Sequence, residues 1–348
     1  MMSVILAGGK GLRLWPESRQ HRPKQLCKFF NNRSMLNNTI ERLLRSGSTN
    51  IYVVTNDELR PHIEAETRCY ADKAVIEVLC EPQGKNTAPA VGLILARLYQ
   101  ENQEDILGVF PADHFVGNEE AFAKSLDKAV QAAEKHHLVT IGIEPQSPET
   151  GYGYIEKTRW EVGEIPDVFQ VNSFCEKPDL QKAKGYLEGG CHLWNAGIYV
   201  GHSSTFLEEF ARHLPEIYQH IIKGASEYVE AYNRLPDVSL DYGIAEKSDR
   251  IAVVPSSFDW CDLGNWNALA DFFNSDNENN TLVRGDAAFI KSKNCLVQQK
   301  EKCLVLFGVD NLLVVESDDI IMIADRSLSQ DIRELTEALV EKQRHELL

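Results

Sequence analysis

The chain opens with a glycine loop beside a dense run of cations. After the short apolar stretch 4–6, the loop holds Gly8, Gly9 and Gly11. Residues 10–28 contain one acid, Glu17, and carry a formal charge of +5 in a chain whose net charge is −16. Glycines let backbone N–H groups approach phosphate oxygens, and cations neutralise the remaining charge, so the segment predicts a site for a polyanionic phosphate. The cations are Lys10, Arg13, Arg19, Arg22, Lys24 and Lys28.

The spacing of this loop excludes two common phosphate motifs. The dinucleotide fingerprint requires Gly-x-Gly-x-x-Gly, but Leu14 stands where the third glycine is needed. The P-loop requires Ser or Thr after Gly-Lys, and here Gly11 follows Lys10. The alternative is a glycine turn with a solvated basic rim. The length and charge density of the segment favour phosphate binding over that alternative.

The segment LAGGKGLRLWPESRQHRPKQ resembles the opening motif of the sugar-nucleotide pyrophosphorylases. Within them it is most similar to the mannose-1-phosphate guanylyltransferases, and LWPESR at residues 14–19 favours that guanylyl branch. The resemblance covers roughly the first three quarters of the chain. It continues through EPQGKNTAPA, FPADH, GYGYI, FCEKPD, WNAGIYV and FDWCDLGNW.

Short apolar strands alternate with amphipathic helical patterns through the first half of the chain. This alternation predicts an α/β fold with a mainly parallel sheet and helices on both faces. The resemblance implies a Rossmann-like nucleotidyltransferase domain with a mixed sheet, predicted to span residues 1–275. Ligands of such sheets bind at the carboxyl ends of strands, where the loops after residues 6, 79 and 110 lie. The predicted strands are 4–6, 51–55, 75–79, 106–110 and 138–143, and the helices are 34–45, 57–70, 87–100 and 119–135.

A second domain is predicted at 281–348, beyond the Asn-rich stretch 274–280. Four apolar bursts begin at residues 295, 303, 312 and 320, an interval that indicates stacked β-coils. The resemblance implies a short left-handed β-helix. A closing helix is expected from about Leu328, with Ser327 and Gln330 as its capping box. This domain offers either a homodimer surface or a face that packs within the chain.

Composition narrows the class of protein. A 43% hydrophobic content is ordinary for a globular chain, and no apolar run reaches the ~20 residues of a membrane-spanning helix. The acidic balance outside the basic loop argues against nucleic-acid binding. We expect no signal peptide and no membrane contact. The eight cysteines include no Cys-x-x-Cys pair, so reduced thiols in the cytoplasm are expected.

The resemblance implies attack by a sugar 1-phosphate oxygen on the α-phosphorus of a nucleoside triphosphate, with pyrophosphate expelled. The nucleophile is already an anion, so the protein must supply charge neutralisation and in-line placement rather than a general base. Gly8, Gly9 and Gly11 would form the phosphate cradle. Arg13 and Lys24 would bind the triphosphate and are the predicted catalytic residues; Arg19 and Arg22 are left outside the site.

Two aspartates are the predicted metal ligands. Magnesium prefers one or two carboxylates together with phosphate oxygens and water. Asp113 follows an apolar strand, and Asp262 follows Trp260-Cys261. Alone, each would be interpreted as a turn residue or a helix N-cap, but both match the metal aspartates that the resemblance implies. Asp259 is expected to be structural.

Base recognition is predicted at Glu81, which can accept hydrogen bonds from the N1 and 2-amino donors of guanine. Adenine cannot match this pattern. The resemblance adds Asn86 and the backbone of Leu6, Ala7 and Gly8. Alternatively, Glu81 and Asn86 cap the helix that starts near Thr87, and Asn86 can do both.

On the sugar side the resemblance implies four residues. Glu176 and Asn195 would hold hydroxyls, Lys177 would hold the sugar phosphate, and Gly153 would allow close backbone approach. The leading hypothesis is GMP transfer from GTP to mannose 1-phosphate. The alternatives are another sugar 1-phosphate or nucleotide, or a catalytically silent regulatory subunit that binds GDP-mannose. At this length no isomerase domain, and hence no mannose-6-phosphate isomerase activity, is expected.

Overall fold

The structure is a computed structural model that describes residues 1–9, 11–163 and 165–348. Lys10, one of the predicted loop cations, lies outside the described residues. The described chain divides into two compact units. The first unit comprises Met1–Gly8, Thr39–Ala112 and Val116–Trp260, and the second comprises Gly9–Asn38, Asp113–Phe115 and Cys261–Leu348. The basic loop therefore groups with the C-terminal segment, and the domain boundary near residue 275 stays a prediction.

The first unit is built on a mixed sheet. Its described strands are β1 Met2–Leu6, β2 Asn50–Asn56, β3 Val75–Glu81, β4 Ile106–Pro111, β6 Leu138–Ile143, β7 Tyr154–Glu161, β8 Phe169–Cys175, β9 His192–His202 and β10 Ile251–Ser256. Their order is β3-β2-β1-β4-β9-β6-β10-β8-β7. The short strands β5 Phe115–Val116 and β11 Trp260–Cys261 lie where the chain passes from one unit to the other.

Strand direction changes along this sheet at β9. β3, β2, β1 and β4 are parallel, β9 runs antiparallel to β4 and β6, and β6 is parallel to β10. The five predicted strands of the first half are confirmed. β10 was not predicted, because its run ends in Pro255, and a proline weakens the strand signal.

The described helices are α1 Met35–Arg45, α2 Arg60–Thr67, α3 Thr87–Glu101, α4 Glu119–Ala133, α5 Leu180–Gly189, α6 Ser203–His213, α7 Pro215–Ile221, α8 Ala225–Ala231, α9 Trp266–Ala270 and α10 Ile332–Glu341. Side-chain oxygens define several starts. Asn118 caps α4 by accepting from Ala121 N–H at 3.0 Å, and Asp179 caps α5 by accepting from Lys182 N–H at 2.9 Å. The predicted helices of the first half are confirmed.

Helix α3 lies in the core of the first unit. Val91, Ile94 and Leu95 are almost completely buried against the β1 and β4 side of the sheet. Each such side chain stabilises the fold by about 1.5–3 kcal/mol. Gly92 has no room for a side chain, because a methyl group there would lie 2.1 Å from Tyr228 Oη. This packing holds α3, which follows the candidate base-binding segment, against the sheet.

The second unit contains a β-helix-like stack. Its strands are β12 Thr281–Arg284, β13 Ala287–Ile290, β14 Leu296–Gln298, β15 Leu304–Phe307, β16 Leu312–Glu316 and β17 Ile321–Asp325. β12, β14 and β16 are parallel neighbours in one sheet, and β13 pairs in parallel with β15 in another. Successive apolar bursts therefore lie on different faces, and stacking occurs at every second strand.

The end of this stack corrects two predictions. β17 returns antiparallel to β16, so the fourth apolar burst does not continue the parallel stack; the turn that begins at Ser317 is too short for a parallel crossover. The closing helix α10 is confirmed, but it begins at Ile332 rather than near Leu328. Ser327 forms no capping box, because its N–H and hydroxyl both bind Asp325. Within the described residues, no helix is long and apolar enough to cross a membrane.

Candidate functional site

The glycine loop of the second unit is closed by short contacts. Gly11 has a φ of 53°, and a methyl group there would lie 2.6 Å from Lys24 Cβ, so only glycine fits. The Gln25 side-chain amide donates to the Gly9 carbonyl at 2.9 Å. Lys24 begins a buried 3-10 turn after Pro23. The loop is thus folded back so that Gly9 and Gly11 lie beside the segment that carries Lys24.

Lys24 joins the two predicted metal aspartates. Its ammonium lies 2.7 Å from Asp113 Oδ2 and donates a short hydrogen bond to the backbone carbonyl of Asp262. The Lys24 side chain is only 8% exposed, whereas that of Asp113 is 30% exposed. A nearly buried cation therefore points at two residues that the sequence places 149 positions apart along the chain.

Arg13 completes this cluster. A methyl group on Gly264 would lie 3.2 Å from both carboxylate oxygens of Asp262 and 3.4 Å from Arg13 Nη1. The Gly264 N–H donates to Asp262 Oδ1 at 3.0 Å, which fixes the carboxylate. We name Arg13, Lys24, Asp113 and Asp262 the charged cluster. The structure brings together the predicted catalytic and metal residues of the second unit.

The electrostatics of the charged cluster favour an ionised Asp113. Burial alone would raise the pKa of Asp113, but the ammonium of Lys24, the imidazole of His114 and the hydrogen bond from Lys24 lower it below its ordinary value. The carboxylate is therefore already negative at neutral pH and can bind a cation. Two positive and two negative side chains are held within one compact region.

The remaining loop cations lie elsewhere. Arg19 pairs with Asp319, and Arg22 pairs with Asp318 at 2.9 Å. Both acids belong to the turn between β16 and β17. Arg19 and Arg22 are therefore not free in solvent, and much of the positive excess seen in the sequence is neutralised within the second unit. Lys28 is exposed.

In the first unit, Glu81 is the last residue of β3, and its hydrogen-bond donors are neutral groups. Its Oε2 accepts from the Tyr232 hydroxyl at 2.7 Å, and it also accepts from the Lys85 backbone N–H. A methyl group on Gly8 would lie 2.4 Å from Glu81 Oε1, so a larger residue at position 8 would displace the Glu81 carboxylate. Burial raises the pKa of Glu81, and the two hydrogen bonds only partly offset this.

The other predicted base-side positions are mostly occupied by structural contacts. Asn86 caps α3, with its side chain accepting from Thr87 N–H at 3.1 Å, so the capping interpretation is correct for Asn86. Glu81 does not cap this helix. The Leu6 carbonyl accepts from Ala112 N–H, and the Ala7 N–H donates to Val54. Tyr232 was missed because it lies 151 positions from Glu81 and no motif marks it.

On the sugar side, Gly153, Glu176 and Lys177 lie together. Glu176 is 7% exposed, and its Oε1 accepts from the Lys177 ammonium at 2.6 Å. A methyl group on Gly153 would lie 2.5 Å from Glu176 Oε2. Burial, together with the nearby Asp241, raises the pKa of Glu176, and Lys177 only partly offsets this. The Lys177 side chain is 54% exposed, so its ammonium can reach a ligand.

The hydrogen bonds of the Asn195 side chain are made to other protein groups. Its Oδ1 accepts from Thr140 Oγ1 at 2.8 Å and from Gly197 N–H at 3.2 Å. Its Nδ2 donates to Asp241 Oδ1 at 2.8 Å and to Tyr199 Oη at 3.2 Å. The Tyr199 hydroxyl also donates to Asp241 Oδ1, at 2.6 Å. An amide has two donors and two acceptor lone pairs, so Asn195 orients Asp241 more readily than it receives a ligand.

Asp241 is a residue that the sequence argument missed. It lies at the start of the π-helical turn Asp241–Ala245, a local form that often occurs at functional sites. After burial, the negative charge of its carboxylate is a further cause of the raised pKa of Glu176, because it disfavours the ionised form of Glu176. The segment DYGIA carries no turn or alternation signal that would have identified it.

Comparisons with known proteins assign this chain to a family. The family model described as nucleotidyl transferase matches residues 2–279, and the model described as MannoseP isomerase/GMP-like beta-helix domain matches residues 285–339. A mannose-1-phosphate guanylyltransferase from Klebsiella pneumoniae is 35% identical over 99% of this chain and 75% of its own length. The chain belongs to the mannose-1-phosphate guanylyltransferase family. An Escherichia coli protein of the same name matches at 35% over the same shares of the two chains.

A solved structure supports the fold of this family member. A crystal structure described as mannose-1-phosphate geranyltransferase from Thermus thermophilus superposes with a TM-score of 0.87 at 34% identity. The match covers 97% of this chain and 98% of the other. The predicted α/β nucleotidyltransferase fold with a C-terminal β-helix is confirmed.

The donor set of this guanylyltransferase-family chain suits a hard divalent cation. No cluster of three or more His, Cys, Asp and Glu that could hold a metal ion occurs among residues 1–9, 11–163 and 165–348. The charged cluster supplies two carboxylates, which would hold a hard divalent cation such as magnesium together with phosphate oxygens and water.

Proposed function

We propose that this protein transfers GMP from GTP to mannose 1-phosphate and releases GDP-mannose and pyrophosphate. The observation that carries the proposal is the charged cluster, in which Lys24 bridges Asp113 and the Asp262 carbonyl beside Arg13. It contains cations and carboxylates but no serine, cysteine or histidine nucleophile. Such a set suits the transfer of one phosphate group onto another, where charge neutralisation dominates.

The bond changes are simple. An oxygen of mannose 1-phosphate attacks the α-phosphorus of GTP, the bond to the α,β-bridging oxygen breaks, and pyrophosphate leaves with the electron pair. Arg13 would hold phosphate oxygens with its planar fork, and Lys24 would supply a movable point charge to the leaving group. An ammonium has three donors, and two of those of Lys24 are already used by Asp113 and Asp262. The third would be offered to a phosphate oxygen.

Magnesium is the proposed cofactor, held by Asp113 and Asp262. When bound, the ion would neutralise charge on the reacting phosphates as a Lewis acid. The chain's own contribution is to hold both carboxylates in place. Lys24 keeps Asp113 ionised and oriented, and the Gly264 N–H orients the carboxylate of Asp262.

The base is proposed to be guanine, recognised by Glu81. A guanine edge offers the N1–H and 2-amino donors to one carboxylate, whereas adenine offers an acceptor at N1. Tyr232 holds one carboxylate oxygen in place, and Gly8 leaves room for the other. With adenine, the buried carboxylate would receive no hydrogen bonds from the base, and this cost supports selection for GTP.

Mannose 1-phosphate is proposed to bind with its hydroxyls at Glu176 and its phosphate at Lys177. Glu176 is buried against Gly153, and Lys177 keeps more than half of its side chain exposed. Asn195 contributes by orienting Asp241 rather than by a free amide.

We place the protein in the cytoplasm, a proposal supported by the free state of its eight cysteines.

A homodimer is proposed through the outer face of β13 and β15. Ile290, Val305 and Phe307 are 47%, 59% and 65% exposed there, although they are large and apolar. Light scattering on the purified protein tests this proposal. A dimer that Phe307→Glu converts to a folded monomer supports it, and a parent that is monomeric at micromolar concentration contradicts it.

Pyrophosphate release by the purified protein with magnesium tests the proposed reaction. The assay crosses GTP, ATP, UTP, CTP and dTTP with mannose, glucose, fucose and galactose 1-phosphates, and each nucleotide alone is the control. We expect turnover with GTP and mannose 1-phosphate. Turnover with another pair would contradict the assigned specificity, and GDP-mannose binding without any turnover would indicate a silent regulatory subunit.

A further inference from the structure

Arg19 is buried, and all three nitrogens of its guanidinium group donate hydrogen bonds. Only 5% of its side chain is exposed. Its Nε donates to the Pro16 carbonyl at 3.1 Å, its Nη1 donates to Asp319 Oδ2 at 3.2 Å, and its Nη2 donates to Asp319 Oδ1. This two-point pairing joins the basic loop to a residue 300 positions away. A buried guanidinium held this way is costly to leave unpaired.

Arg22 makes a second connection to the same turn. Its Nη1 donates to Asp318 Oδ2 at 2.9 Å, and its Nη2 donates to Ser317 Oγ at 3.2 Å. Its Nε donates to the Glu17 carbonyl at 3.1 Å. Lys300, just after β14, pairs with the other oxygen of Asp318. We name residues 317–319, between β16 and β17, the anchor turn.

The backbone between these two arginines forms a tight turn that leads directly to Lys24. Arg19 N–H donates to the Arg22 carbonyl at 2.9 Å, and Arg22 N–H donates to the Arg19 carbonyl at 3.1 Å. Pro23 follows with a fixed φ, and Lys24 is the next residue. A shift of the Arg19–Arg22 turn must therefore shift the residue that contacts Asp113.

Other contacts of the same segment reach the C-terminal half of the second unit. Trp15 Nε1 donates to the Leu347 carbonyl at 2.8 Å, and Trp266 Nε1 donates to the Trp15 carbonyl at 3.0 Å. Gln298 of β14 donates to Glu17 Oε2 at 3.3 Å. The β-helix strands and the chain end thus hold residues 15–22 from several sides.

We propose that Asp318 and Asp319 are positioning residues for nucleotidyl transfer, which hold the basic loop so that Lys24 and Arg13 meet the triphosphate. The inference rests on the proposed function for its substrate. It gives the C-terminal β-helix a part in the reaction, although that segment contributes no predicted substrate ligand. The anchor turn acts through Arg19 and Arg22 and does not touch the nucleotide.

The test removes the anchoring charges without changing side-chain size. The variants are Asp318→Asn, Asp319→Asn and the double variant, with Asp319→Glu as the conservative rescue. The matched control is Asp310→Asn, which removes one charge from the same unit at a residue that binds the Lys293 N–H instead. Steady-state rates with varied GTP and varied mannose 1-phosphate are combined with hydrogen–deuterium exchange of the peptide covering residues 15–27.

The double variant is expected to lose about 10- to 100-fold in kcat/KM for GTP, because small displacements of catalytic groups have effects of this size. Its KM for mannose 1-phosphate should stay within about twofold of the parent value. Asp319→Glu keeps the charge that pairs with Arg19 and should retain most of the parent's kcat/KM for GTP. Exchange in residues 15–27 should rise in the Asn variants and stay unchanged in Asp310→Asn.

Two results would overturn the proposal. One is unchanged exchange in residues 15–27 in the double variant. The other is faster exchange with an unaltered kcat/KM for GTP, which would make the anchor turn merely structural. A parent protein that turns over a different nucleotide would refute the proposed function while the exchange data still report on the anchor. The two failures are therefore distinguishable.

Discussion

In the second unit the carboxylates of the candidate site lie beside cations, whereas in the first unit Glu81 lies among neutral partners. Lys24 lowers the pKa of Asp113, and burial raises the pKa of Glu81. The charged cluster is thus compensated by its own side chains. Glu81 receives only a tyrosine hydroxyl and a backbone N–H among the described residues.

This difference matches the two tasks of a nucleotidyl transferase. Phosphate chemistry needs groups that exchange one ionic partner for another, and Lys24 already holds such a partner. Base selection needs a group whose negative charge is costly when unpaired, because the cost falls on the wrong base. The predictions below separate these two roles, in order of decreasing effect.

Asp113→Asn should reduce kcat by about 10²-fold or more, because it removes the charge of a proposed metal ligand and the ionic partner of Lys24. The matched control is Asp259→Asn, at a residue whose φ of 46° an asparagine also tolerates. The control should keep most of the activity. Turnover of Asp113→Asn within tenfold of the parent, measured by pyrophosphate release, would refute the metal assignment.

Glu81→Gln should lower kcat/KM for GTP by about 10- to 100-fold, which corresponds to the loss of hydrogen bonds to a charged acceptor. The rate with ATP should change little, so discrimination between the bases should narrow. Glu77→Gln on the same strand is the control, because Glu77 pairs with Arg97 at the surface. Equal losses for GTP and ATP would show that Glu81 supports the fold and does not select the base.

Gly11→Ala should reduce activity by about tenfold and also lower stability, because a left-handed backbone costs an alanine about 1–2 kcal/mol before its clash with Lys24 is counted. Gly9→Ala is the control, because a methyl group there meets nothing within 4 Å. A large loss in Gly9→Ala at unchanged melting temperature would indicate that the ligand itself fills this space. That outcome would locate the phosphate cradle at Gly9.

The raised pKa of Glu81 predicts a small effect of pH on stability. The protonated form is favoured in the folded state, so the stabilisation is complete below the ordinary value of 4.5 and is lost as pH rises through the raised pKa. The unfolding free energy of Glu81→Gln relative to the parent should therefore increase as pH rises above 4.5. Chemical denaturation at several pH values measures this difference, and a constant difference would contradict the assignment.

The sequence was most informative where chemistry and fold share one contiguous segment. Gly11, Arg13 and Lys24 lie within fourteen residues, and the glycine loop packs Gly11 against Lys24. Asp113 follows a strand whose position the alternating pattern had already fixed. For Gly11 and Lys24 the local backbone itself brings the two residues together.

Several long-range contacts could not be predicted from the sequence. Tyr232 binds Glu81, Asp241 binds Asn195, and Asp319 binds Arg19, and no periodicity or spacing links any of these pairs. The antiparallel direction of β17 was also not predicted, because its apolar burst resembles those before it. The deciding feature is the short turn after β16, which offers no room for a crossover.

The stereochemical course at the α-phosphorus tests the account most directly. The protein is argued to supply charge and placement but no covalent nucleophile, so transfer must be a single in-line displacement. GTP made chiral at the α-phosphorus with sulfur or oxygen isotopes is turned over with mannose 1-phosphate, and the GDP-mannose product is analysed by phosphorus NMR. Inversion of configuration is the predicted result. Retention would require two displacements and a covalent intermediate, and would contradict the account.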